Sequence, residues 1–518
     1  MSLMRSVARI GGLTMLSRVL GFARDALFAA VLGAGLAADA FMVAFRLPNF
    51  MRSLFAEGAF NAAFVPLYSR ILAGEDGSRR AARFAGEIGT LLTLALLALS
   101  ALIMVFMAEA MTVLAPGFAD EPAKFALAVE LTRLTFPYLT FISLVSLQGA
   151  ILNAHHHFGA PAATPIMLNL VLITALLLPH DALGLGVATT QAIAVSIAGM
   201  AQFLWLALHM QAHGLALRLH LPRFGPDLRR FFKLLGPAVI GAGIYQVNVL
   251  IDMILASLLP EGTVSYLFYA DRLNQLPLAV IGIAISTALL PLLSRQLARG
   301  ETDQALDSQN RALEGALLLT LPAAAALATL PETIVSVLFQ RGAFTAADSA
   351  ETAKALAVLA CGLPAFTISK VFTPAFHARE DTRTPVRLAI IALFINLGVA
   401  LAVMWDWHQA GLALASTVAA WANTLQLMVI LRRRGYFKPD RRLITRSLRF
   451  ALATAVMVGA LLGLEVLLRP YLAREILWRV GALLALCSAG GLVFLLTALA
   501  SRAITLGDIR ALVRRRPG

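Results

Sequence analysis

Charged residues are scarce in this sequence. Only 14% of its 518 residues are Asp, Glu, Lys or Arg, while 59% are hydrophobic and the mean hydropathy is +0.79. A soluble globular protein of this length would not need so much apolar surface to fill its core. Apolar runs of the roughly 18–20 residues that a membrane helix needs recur along the chain. The composition therefore argues against a soluble protein and predicts an all-α integral membrane protein.

Cysteine is nearly absent. Cys361 and Cys487 lie far apart, each within an apolar run. This spacing fits neither a disulfide framework nor a metal site, so we interpret both as packing residues. A continuous apolar N-terminal stretch is also missing, because Arg18 interrupts it. A secretory signal peptide is not expected, and we interpret the N-terminus as an uncleaved first helix.

The net charge of +14 does not indicate nucleic-acid binding. The basic residues form short clusters between apolar runs, such as SRRAAR at 78–83, PRFGPDLRRFFK at 222–233, RRRGYFKPDRR at 432–442 and RRR at 514–516. A nucleic-acid-binding protein would instead show a continuous basic face with interleaved aromatic residues. Short basic clusters are typical of cytoplasmic loops in membrane proteins.

The apolar runs predict about fourteen membrane helices. Their approximate spans are 4–33, 36–73, 83–110, 124–153, 162–179, 184–213, 229–259, 262–297, 308–330, 346–377, 385–405, 410–434, 445–468 and 475–502. One set of loops carries about 30 Lys and Arg residues, and the other set carries about four, namely Lys124, Arg341, Arg469 and Arg474. The asymmetry predicts that both termini are cytoplasmic.

A weak internal repeat relates the two halves of the chain. The stretch 24–49 aligns with 251–275, which places Asp25 opposite Asp252 and Arg46 opposite Arg272. Further matches keep an offset of roughly 220–227 residues. The repeat predicts two six-helix lobes, 1–215 and 229–435, joined by a cytoplasmic linker at 216–228, with helices 13 and 14 and a tail in 436–518. Parallel repeats of this kind place a substrate cavity between the lobes.

The first two predicted spans contain arginines at 18, 24, 46 and 52, where lipid-facing charge is costly. Asp25, Asp39 and Glu57 can neutralise three of them. Three interpretations stay open at this point: structural ion pairs, a proton or cation relay, and an anion-binding cavity. The cavity is favoured, because guanidinium binds phosphate oxygens bidentately and keeps its proton. We therefore expect a phosphate or pyrophosphate headgroup as ligand.

Several motifs resemble those of the MurJ (MviN) family of lipid II flippases, within the multidrug/oligosaccharidyl-lipid/polysaccharide exporter superfamily. They are SRVLGFARD at 17–25, ADAFMVAFRLPNFMRSLFAEGAFNAAFVPLYS at 38–69, YADRL at 269–273 and TRTP at 382–385. The resemblance extends over essentially the whole chain. It implies alternating access between two lobes, with helices 13 and 14 forming a groove for the lipid tail.

The resemblance also implies site residues. The substrate-binding residues would be Arg18, Arg24, Arg52 and Arg272. The residues that gate the cavity or orient the arginines would be Ser17, Asp25, Asp39, Arg46, Asn49 and Lys370. Two departures stand out: Gln275 follows YADRL where the family often has an acidic residue, and Arg46 occupies a position that is often lysine. Asp252 is a weak candidate ligand for a cation, without a convincing ligand set around it.

The expected function is transport of undecaprenyl-pyrophosphate-linked peptidoglycan precursor to the outer leaflet of the bacterial inner membrane, for cell wall synthesis. We expect no cofactor, a possible dependence on membrane potential, and membrane lipids and the cell-wall synthesis machinery as further partners. One alternative is an exporter of another polyprenyl-linked glycan or a multidrug antiporter. Another is a membrane enzyme, for which HHH at 155–157 and HARED at 377–381 are poor candidates.

Overall fold

Helices form all the regular structure of the described chain. The computed structural model describes residues 3–52, 59–505 and 507, with the side chains of these residues except at 3–10, 59, 181, 183, 238, 240–245 and 279–287; no strand occurs in this part of the chain. The all-α fold predicted from composition is confirmed. Buried polar backbone groups are satisfied within each helix, which is what a membrane interior requires.

The chain divides into two compact units, Met1–Ser265 with Arg341–Phe344, and Tyr266–Gln340 with Thr345–Gly518. The division falls within one long helix, whereas the predicted lobe boundaries at 215, 229 and 435 follow the sequence repeat and stay a prediction. The predicted linker at 216–228 contacts the helix Gly77–Val105. The backbone N–H of His220 lies 3.4 Å from the carbonyl oxygen of Gly86. A Cβ at Gly86 would lie 2.1 Å from the carbonyl oxygen of Arg218, so glycine permits this approach.

Eleven helices and one short 3-10 helix, Pro116–Asp120, belong to the first unit within the described residues. They are α1 Leu3–Leu32, α2 Leu36–Arg52, α3 Ala59–Leu72, α4 Gly77–Val105, α5 Met107–Leu114, α6 Pro122–Thr135, α7 Tyr138–Ala154, α8 Gly159–Leu176, α9 His180–Leu183, α10 Val187–Ala212 and α11 Pro226–Ser257.

The remaining helices lie wholly or mainly in the second unit. They are α12 Thr263–Ala298, α13 Thr302–Thr329, α14 Pro331–Phe339, α15 Ala346–His377, α16 Arg383–Arg433, α17 Arg441–Leu472 and α18 Ile476–Ala500. The backbone of His408 is non-helical (φ 44°, ψ −124°) and divides α16 into two helices. The break falls between the predicted spans 385–405 and 410–434. Gly411 fits here because a Cβ would lie 2.8 Å from the carbonyl oxygen of Val403.

Nine helical stretches of the described chain are long and apolar enough to cross a membrane by composition alone. They account for ten of the predicted spans, because α16 contains two. The other four correspond to α1, α2 with α3, α11 and α12, and these helices carry all the candidate site residues except Lys370. Every 18-residue stretch between Gly11 and Leu32 in α1 contains Arg18, Arg24 and Asp25. The count of fourteen spans stays a prediction.

Two polar contacts tie the C-terminal helices to the rest of the second unit. At one end, Glu314 of α13 accepts hydrogen bonds from Arg311, Arg442 and Arg446. At the other end, Arg479 of α18 donates to the carbonyl oxygen of Ser336 at 2.9 Å. The helices α17 and α18, which have no counterpart in the repeat, are therefore fixed to α13 and α14.

Candidate functional site

An ion pair in α1 forms the centre of the first group of candidate residues. Arg24 donates from Nε (3.0 Å) and Nη2 (2.6 Å) to Oδ1 of Asp25, and from Nη1 (3.0 Å) to Oδ1 of Asn169 in α8. The side chains of Arg24 and Asp25 keep 14% and 7% of their exposure. Guanidinium has five N–H donors, so two of them remain without a partner among the described residues. The pair can therefore accept an anionic ligand.

Asn169 fixes the position of the Arg24 guanidinium. Its Nδ2 donates to the backbone carbonyl oxygen of Ser17 at 3.0 Å, so the same amide holds both α1 and the arginine. Gly21 lies opposite, where a Cβ would be 3.5 Å from the Asn169 amide nitrogen. We call Ser17, Gly21, Arg24, Asp25 and Asn169 the Arg24 cluster. Ser17 takes part through its backbone carbonyl oxygen, and its predicted role in gating or in orienting the arginines stays a prediction.

The other candidate arginines of the first unit are more open. Arg18 and Arg46 are exposed, with no hydrogen bond or ion pair to any described residue. Arg52 is half-buried, and its Nε lies 3.2 Å from Oδ1 of Asn49, whose Nδ2 donates to the carbonyl oxygen of Phe45. The exposed guanidinium groups of Arg18 and Arg46 suit an anionic ligand. Glu57, a predicted counter-charge, lies outside the described residues.

The second unit contains the remaining candidates. The Arg272 guanidinium lies 4.7 Å from the centre of the Phe268 ring, and Gln275 donates to Asp271. Lys370 is half-buried in α15, with no ion pair to any described residue. Lys370 thus carries an available charge within its own unit.

The candidate cation ligand has one described amide neighbour. Asn248 donates to Oδ2 of Asp252 at 3.4 Å, both within α11. Within the described residues, no group of three His, Cys, Asp or Glu side chains is arranged to hold a metal ion. The expectation of a cation ligand at Asp252 therefore stays a prediction.

Asp39 bonds to a lysine and a helix start, not to an arginine. Its Oδ1 accepts from the backbone N–H (3.0 Å) and hydroxyl (2.7 Å) of Ser265, and its Oδ2 accepts from the backbone N–H of Gly262 (2.8 Å). Lys124 Nζ lies 3.2 Å from the same Oδ2. These contacts correct the expectation that Asp39 orients an arginine and are compatible with its other expected role in gating.

The contact between α2 and the start of α12 is reciprocal. Glu261, just before α12, accepts from the backbone N–H of Leu36, the first residue of α2, at 2.6 Å. Each helix start is thus stabilised by a carboxylate from the other segment, which satisfies orphan N–H groups and opposes the positive end of each helix dipole. We call Asp39, Lys124, Glu261, Gly262 and Ser265 the Asp39 cluster. By sequence, it joins the first repeat to the second.

Lys124 is one of three site residues, with Asn169 and Glu261, that sequence reasoning missed. It was placed among outer-loop cations, whereas the structure buries it to 1% exposure at the start of α6. Its ammonium group lies 4.4 Å from the centre of the Phe118 ring. The sequence gives only a weak indication that Lys124 is a site residue. It is a lysine near the start of a helix, in a chain whose cations are mostly arginine.

A second contact lies next to the Asp39 cluster. Residues 341–344 pack against the end of α1, where the backbone N–H of Ala343 donates to the carbonyl oxygen of Ala30 at 2.7 Å. A Cβ at Gly342 would lie 2.1 Å from that oxygen, and one at Gly33 would lie 2.6 Å from the carbonyl oxygen of Ala343. Both glycines also have positive φ (56° and 68°). The approach therefore depends on glycine at both positions.

The helices α17 and α18 line an open apolar cavity of about 330 Å³. It is lined by Ala460, Leu461, Gly463, Leu464, Leu467, Ala489, Gly490 and Val493. The glycines leave room that larger side chains would fill. An alkyl chain is the kind of ligand that such a lining suits.

The histidines weighed as enzyme candidates have ordinary contacts. His155 shares a hydrogen bond of 3.1 Å with the hydroxyl of Tyr68, and the rings of His157 and His213 lie 4.0 Å apart. Burial and the neighbouring histidines lower the pKa of His155 and of His157 below the usual value. The lowered pKa favours the neutral form of His155 and of His157, and neither residue lies in the Arg24 or Asp39 cluster.

The helical fold, the apolar spans and the charged residues within α1 and α2 define a multi-pass membrane protein of the transporter class. Residues 28–481 match the family model "Lipid II flippase MurJ". The chain is 40% identical to "Probable lipid II flippase MurJ" of Rhizobium tropici, with 100% of this chain and 98% of that protein covered. The chain belongs to the MurJ family of lipid II flippases, and it is a bacterial membrane protein.

Two solved structures are similar in fold. "Lipid II flippase MurJ, inward closed conformation" has a TM-score of 0.79 and 27% identity, covering 98% of this chain and 99% of that one. A multidrug resistance MATE family transporter of the MOP superfamily in an inward-facing conformation has a TM-score of 0.64 and 16% identity, covering 83% and 98%. The second likeness is one of fold alone.

Proposed function

We propose that this protein moves lipid II from the inner to the outer leaflet of the bacterial inner membrane by alternating access, with both termini in the cytoplasm. Carrying a pyrophosphate headgroup through hydrocarbon unaided costs on the order of tens of kcal/mol. Fixed guanidinium groups in a polar site offset most of that cost. The lipid tail need not enter the site, because it stays in the bilayer while the headgroup crosses.

The observation that carries the proposal is the arrangement of Arg24. Asp25 and Asn169 occupy three of its N–H donors and hold the guanidinium in place, so a phosphate oxygen meets a fixed donor. Preorganisation lowers the entropy that is lost when the ligand binds. Arg18 in the same helix and Arg52 at the end of α2 supply further proposed phosphate contacts, and Arg272 and Lys370 are proposed on the same chemical grounds.

The Asp39 cluster is proposed to act in gating. It ties the start of α2 to the start of α12 through four hydrogen bonds, and a buried ion pair links Asp39 of α2 to Lys124 of α6. Release of the headgroup on the far side requires that such a contact open and close once in each cycle. Hydrogen bonds to helix N-termini suit this task, because water replaces them when the segments separate.

Membrane potential is the proposed source of directionality. A full elementary charge that crosses the field is worth about 2.3 kcal/mol per 100 mV. With the cytoplasm negative, the outward movement of an anionic headgroup is downhill, and so is the inward return of an empty cationic site. We propose no bound cofactor. Transport that is indifferent to collapse of the potential contradicts this part of the proposal.

The cavity between α17 and α18 is proposed to hold part of the polyprenyl chain. Its lining offers only aliphatic side chains and glycine. Transfer of an alkyl chain from water to an apolar site contributes about 0.8 kcal/mol per CH₂ group. The chain of a membrane lipid already lies in hydrocarbon, so it does not gain this free energy. The proposed gain is therefore in positioning the tail rather than in affinity.

The experiment uses a strain that depends on this gene. Arg52→Ala and Arg272→Ala variants are expressed at wild-type levels, and surface exposure of the lipid-linked precursor is measured together with growth and envelope integrity. We expect both variants to lose precursor exposure. Arg80→Ala is the matched control, because Arg80 is exposed and pairs with Asp227 away from the Arg24 cluster. Normal exposure from stably expressed Arg52 and Arg272 variants would make their roles structural.

A further inference from the structure

Lys124 is buried and its charge is directed at Asp39, so its surroundings point to a task other than headgroup binding. We propose that Lys124 is a positioning residue: its ammonium group keeps Asp39 ionised inside the Asp39 cluster, and so holds the start of α12 against the start of α2 in the closed state. The inference rests on the proposed function, in which this cluster opens once in each transport cycle.

The geometry directs the charge of Lys124 to Asp39. The Nζ atom lies 3.2 Å from Oδ2 of Asp39, and the side chains of the two residues retain 2% and 1% of their exposure. The nearest other carboxylate is that of Glu121 at 3.9 Å, which is 46% exposed. The Phe118 ring covers the ammonium group from another side. Water has little access to either member of the pair.

Asp39 needs its negative charge to make all of its contacts. An ionised carboxylate accepts about four hydrogen bonds, and Asp39 accepts three from the start of α12 in addition to its contact with Lys124. Burial disfavours a carboxylate without a counter-charge, so removal of Lys124 favours the protonated form. A protonated Asp39 loses acceptor sites, and at least one donor of Gly262 or Ser265 then loses its partner.

The other charged groups nearby do not replace Lys124. In the segments just before α6 and α12, and in the segment 341–344 that packs against the end of α1, they are Asp120, Glu121, Glu261 and Arg341. Three of these are acidic and oppose ionisation of Asp39. Arg341 is exposed. Lys124 is therefore the buried cation of this group of described side chains.

The test measures how often the cluster opens. Thr263, the first residue of α12, is 1% exposed, so a cysteine at this position is protected while the cluster is closed. Thr263→Cys is introduced into a full-length chain in which Cys361 and Cys487 are replaced by serine, and the protein is reconstituted into lipid nanodiscs. The rate of labelling by a water-soluble maleimide is measured between pH 6 and pH 8.5. Each rate is divided by that of the unfolded protein at the same pH, which removes the titration of the thiol itself.

Lys124→Met is expected to raise the corrected rate by on the order of tenfold at neutral pH. Because closing then requires a proton on Asp39, the rate increases with pH, with a limiting slope of about tenfold per pH unit. Lys124→Arg keeps the charge and is expected to retain most of the protection. A purely structural role for the lysine stem would not produce the pH dependence.

Two further variants keep the proposal testable if Lys124→Met folds poorly. Asp39→Asn alone leaves a buried ammonium group without its main counter-charge, so its labelling is expected to increase as the pH falls, the opposite sign. The double variant Asp39→Asn with Lys124→Met has neither charge and is expected to show no pH dependence. Opposite signs in the single variants and none in the double variant support the pairing.

Lys354→Met is the matched control, because Lys354 is exposed and pairs with Glu351 elsewhere in the chain. Its labelling is expected to equal that of the parent. The proposal is overturned if Lys124→Met labels like the parent at every pH, or if the double variant is as pH-dependent as the single one. The labelling reports the cluster whatever the cargo is, so a parent protein that fails to move lipid II would contradict the flippase proposal alone.

Discussion

The Arg24 cluster and the Asp39 cluster each pair a basic side chain with an aspartate in the same unit, yet they differ in how completely they are closed. Arg24 keeps 14% of its side-chain exposure and two N–H donors without a described partner. Lys124 and Asp39 keep 2% and 1%, and the carboxylate is fully occupied. A pair with spare donors can bind a ligand, whereas a saturated, buried pair can only hold two segments together or release them.

The difference has an energetic consequence. Removing one partner of a buried pair leaves an uncompensated charge and costs about 3–5 kcal/mol. The Arg24–Asp25 pair is less completely buried, with side-chain exposures of 14% and 7%, so removal of Arg24 is expected to cost less folding free energy. Substitutions in the Arg24 cluster should therefore affect cargo binding, and those in the Asp39 cluster should affect the conformational equilibrium.

The largest effect is expected for Arg24→Gln. The variant loses the charge and at least two charge-assisted hydrogen bonds, each worth about 1.5–3 kcal/mol. Transport of lipid II into proteoliposome outer leaflets is expected to fall by on the order of 100-fold or more. Arg24→Lys is expected to recover only part of the activity, because an ammonium group cannot bind bidentately. Equal activity of the Lys and Arg proteins would mean that Arg24 acts as a simple point charge.

Gly342→Ala is expected to have the next largest effect. Gly342 lies in the contact next to the Asp39 cluster, so the change should affect stability rather than cargo binding. The new Cβ would lie 2.1 Å from the carbonyl oxygen of Ala30, and the residue has a φ of 56°. Loss of this contact should destabilise the protein by about 1–3 kcal/mol without changing affinity for lipid II. Thermal unfolding in detergent and a binding titration measure the two quantities. Gly398→Ala is the control, since nothing lies within 4 Å of its Cβ position.

A smaller effect is expected for Asn169→Ala. It removes the hydrogen bond that fixes the Arg24 guanidinium and the bond to the Ser17 carbonyl oxygen. Affinity for lipid II is expected to fall about tenfold, since each neutral bond contributes about 1 kcal/mol and the guanidinium loses its preorganisation. Gln202→Ala removes another buried amide of the first unit, bonded to the Thr164 carbonyl oxygen. If both variants weaken binding equally, the loss reflects general destabilisation.

The smallest effect on stability is expected at an exposed ion pair outside both clusters. It shows how little a solvated pair contributes compared with the two buried pairs. Asp381 accepts from Thr384 and Arg434 in a loop of the second unit, and these hydrogen bonds lower its pKa to about 2. A lowered pKa adds stability that is present above pH about 4 and is lost as the pH falls toward 2. Asp381→Asn is expected to cost under about 1 kcal/mol at pH 7.

The measurement for this pair is thermal unfolding at pH 7, 5 and 3. The difference in unfolding temperature between the parent and Asp381→Asn should shrink as the pH falls through this range. A difference that grows on acidification would show that the carboxylate is not stabilising in its ionised form.

Much of the architecture could be predicted from the sequence, because helix length and apolar patterning are local properties. The break at His408 and the span 346–377 coincide with predicted boundaries. The pairing of Arg24 with Asp25 was also within reach, because the two residues are neighbours and one was expected to orient the other. The family resemblance implies the function, because residue chemistry alone leaves structural ion pairs, a proton or cation relay and an anion-binding cavity as alternatives.

The remaining parts of the site depend on contacts between residues distant in sequence. Asn169 lies 145 positions from Arg24, and no local pattern links them. Lys124 resembles a solvated loop cation until Asp39 and the start of α12 are placed around it. Similarly, Glu261 in the short loop LPEGTV gives no sign that it caps α2. Helix-start contacts of this kind arise from packing, which sequence periodicity does not specify.

The most direct test of the account is an experimental structure of this protein with lipid II bound. The account predicts that an oxygen of the diphosphate lies within about 3 Å of an Arg24 Nη atom, while Asp25 and Asn169 keep their contacts to the same guanidinium and no phosphate approaches Lys124. A diphosphate bound elsewhere, with Arg24 contacting only Asp25 and Asn169, would contradict it.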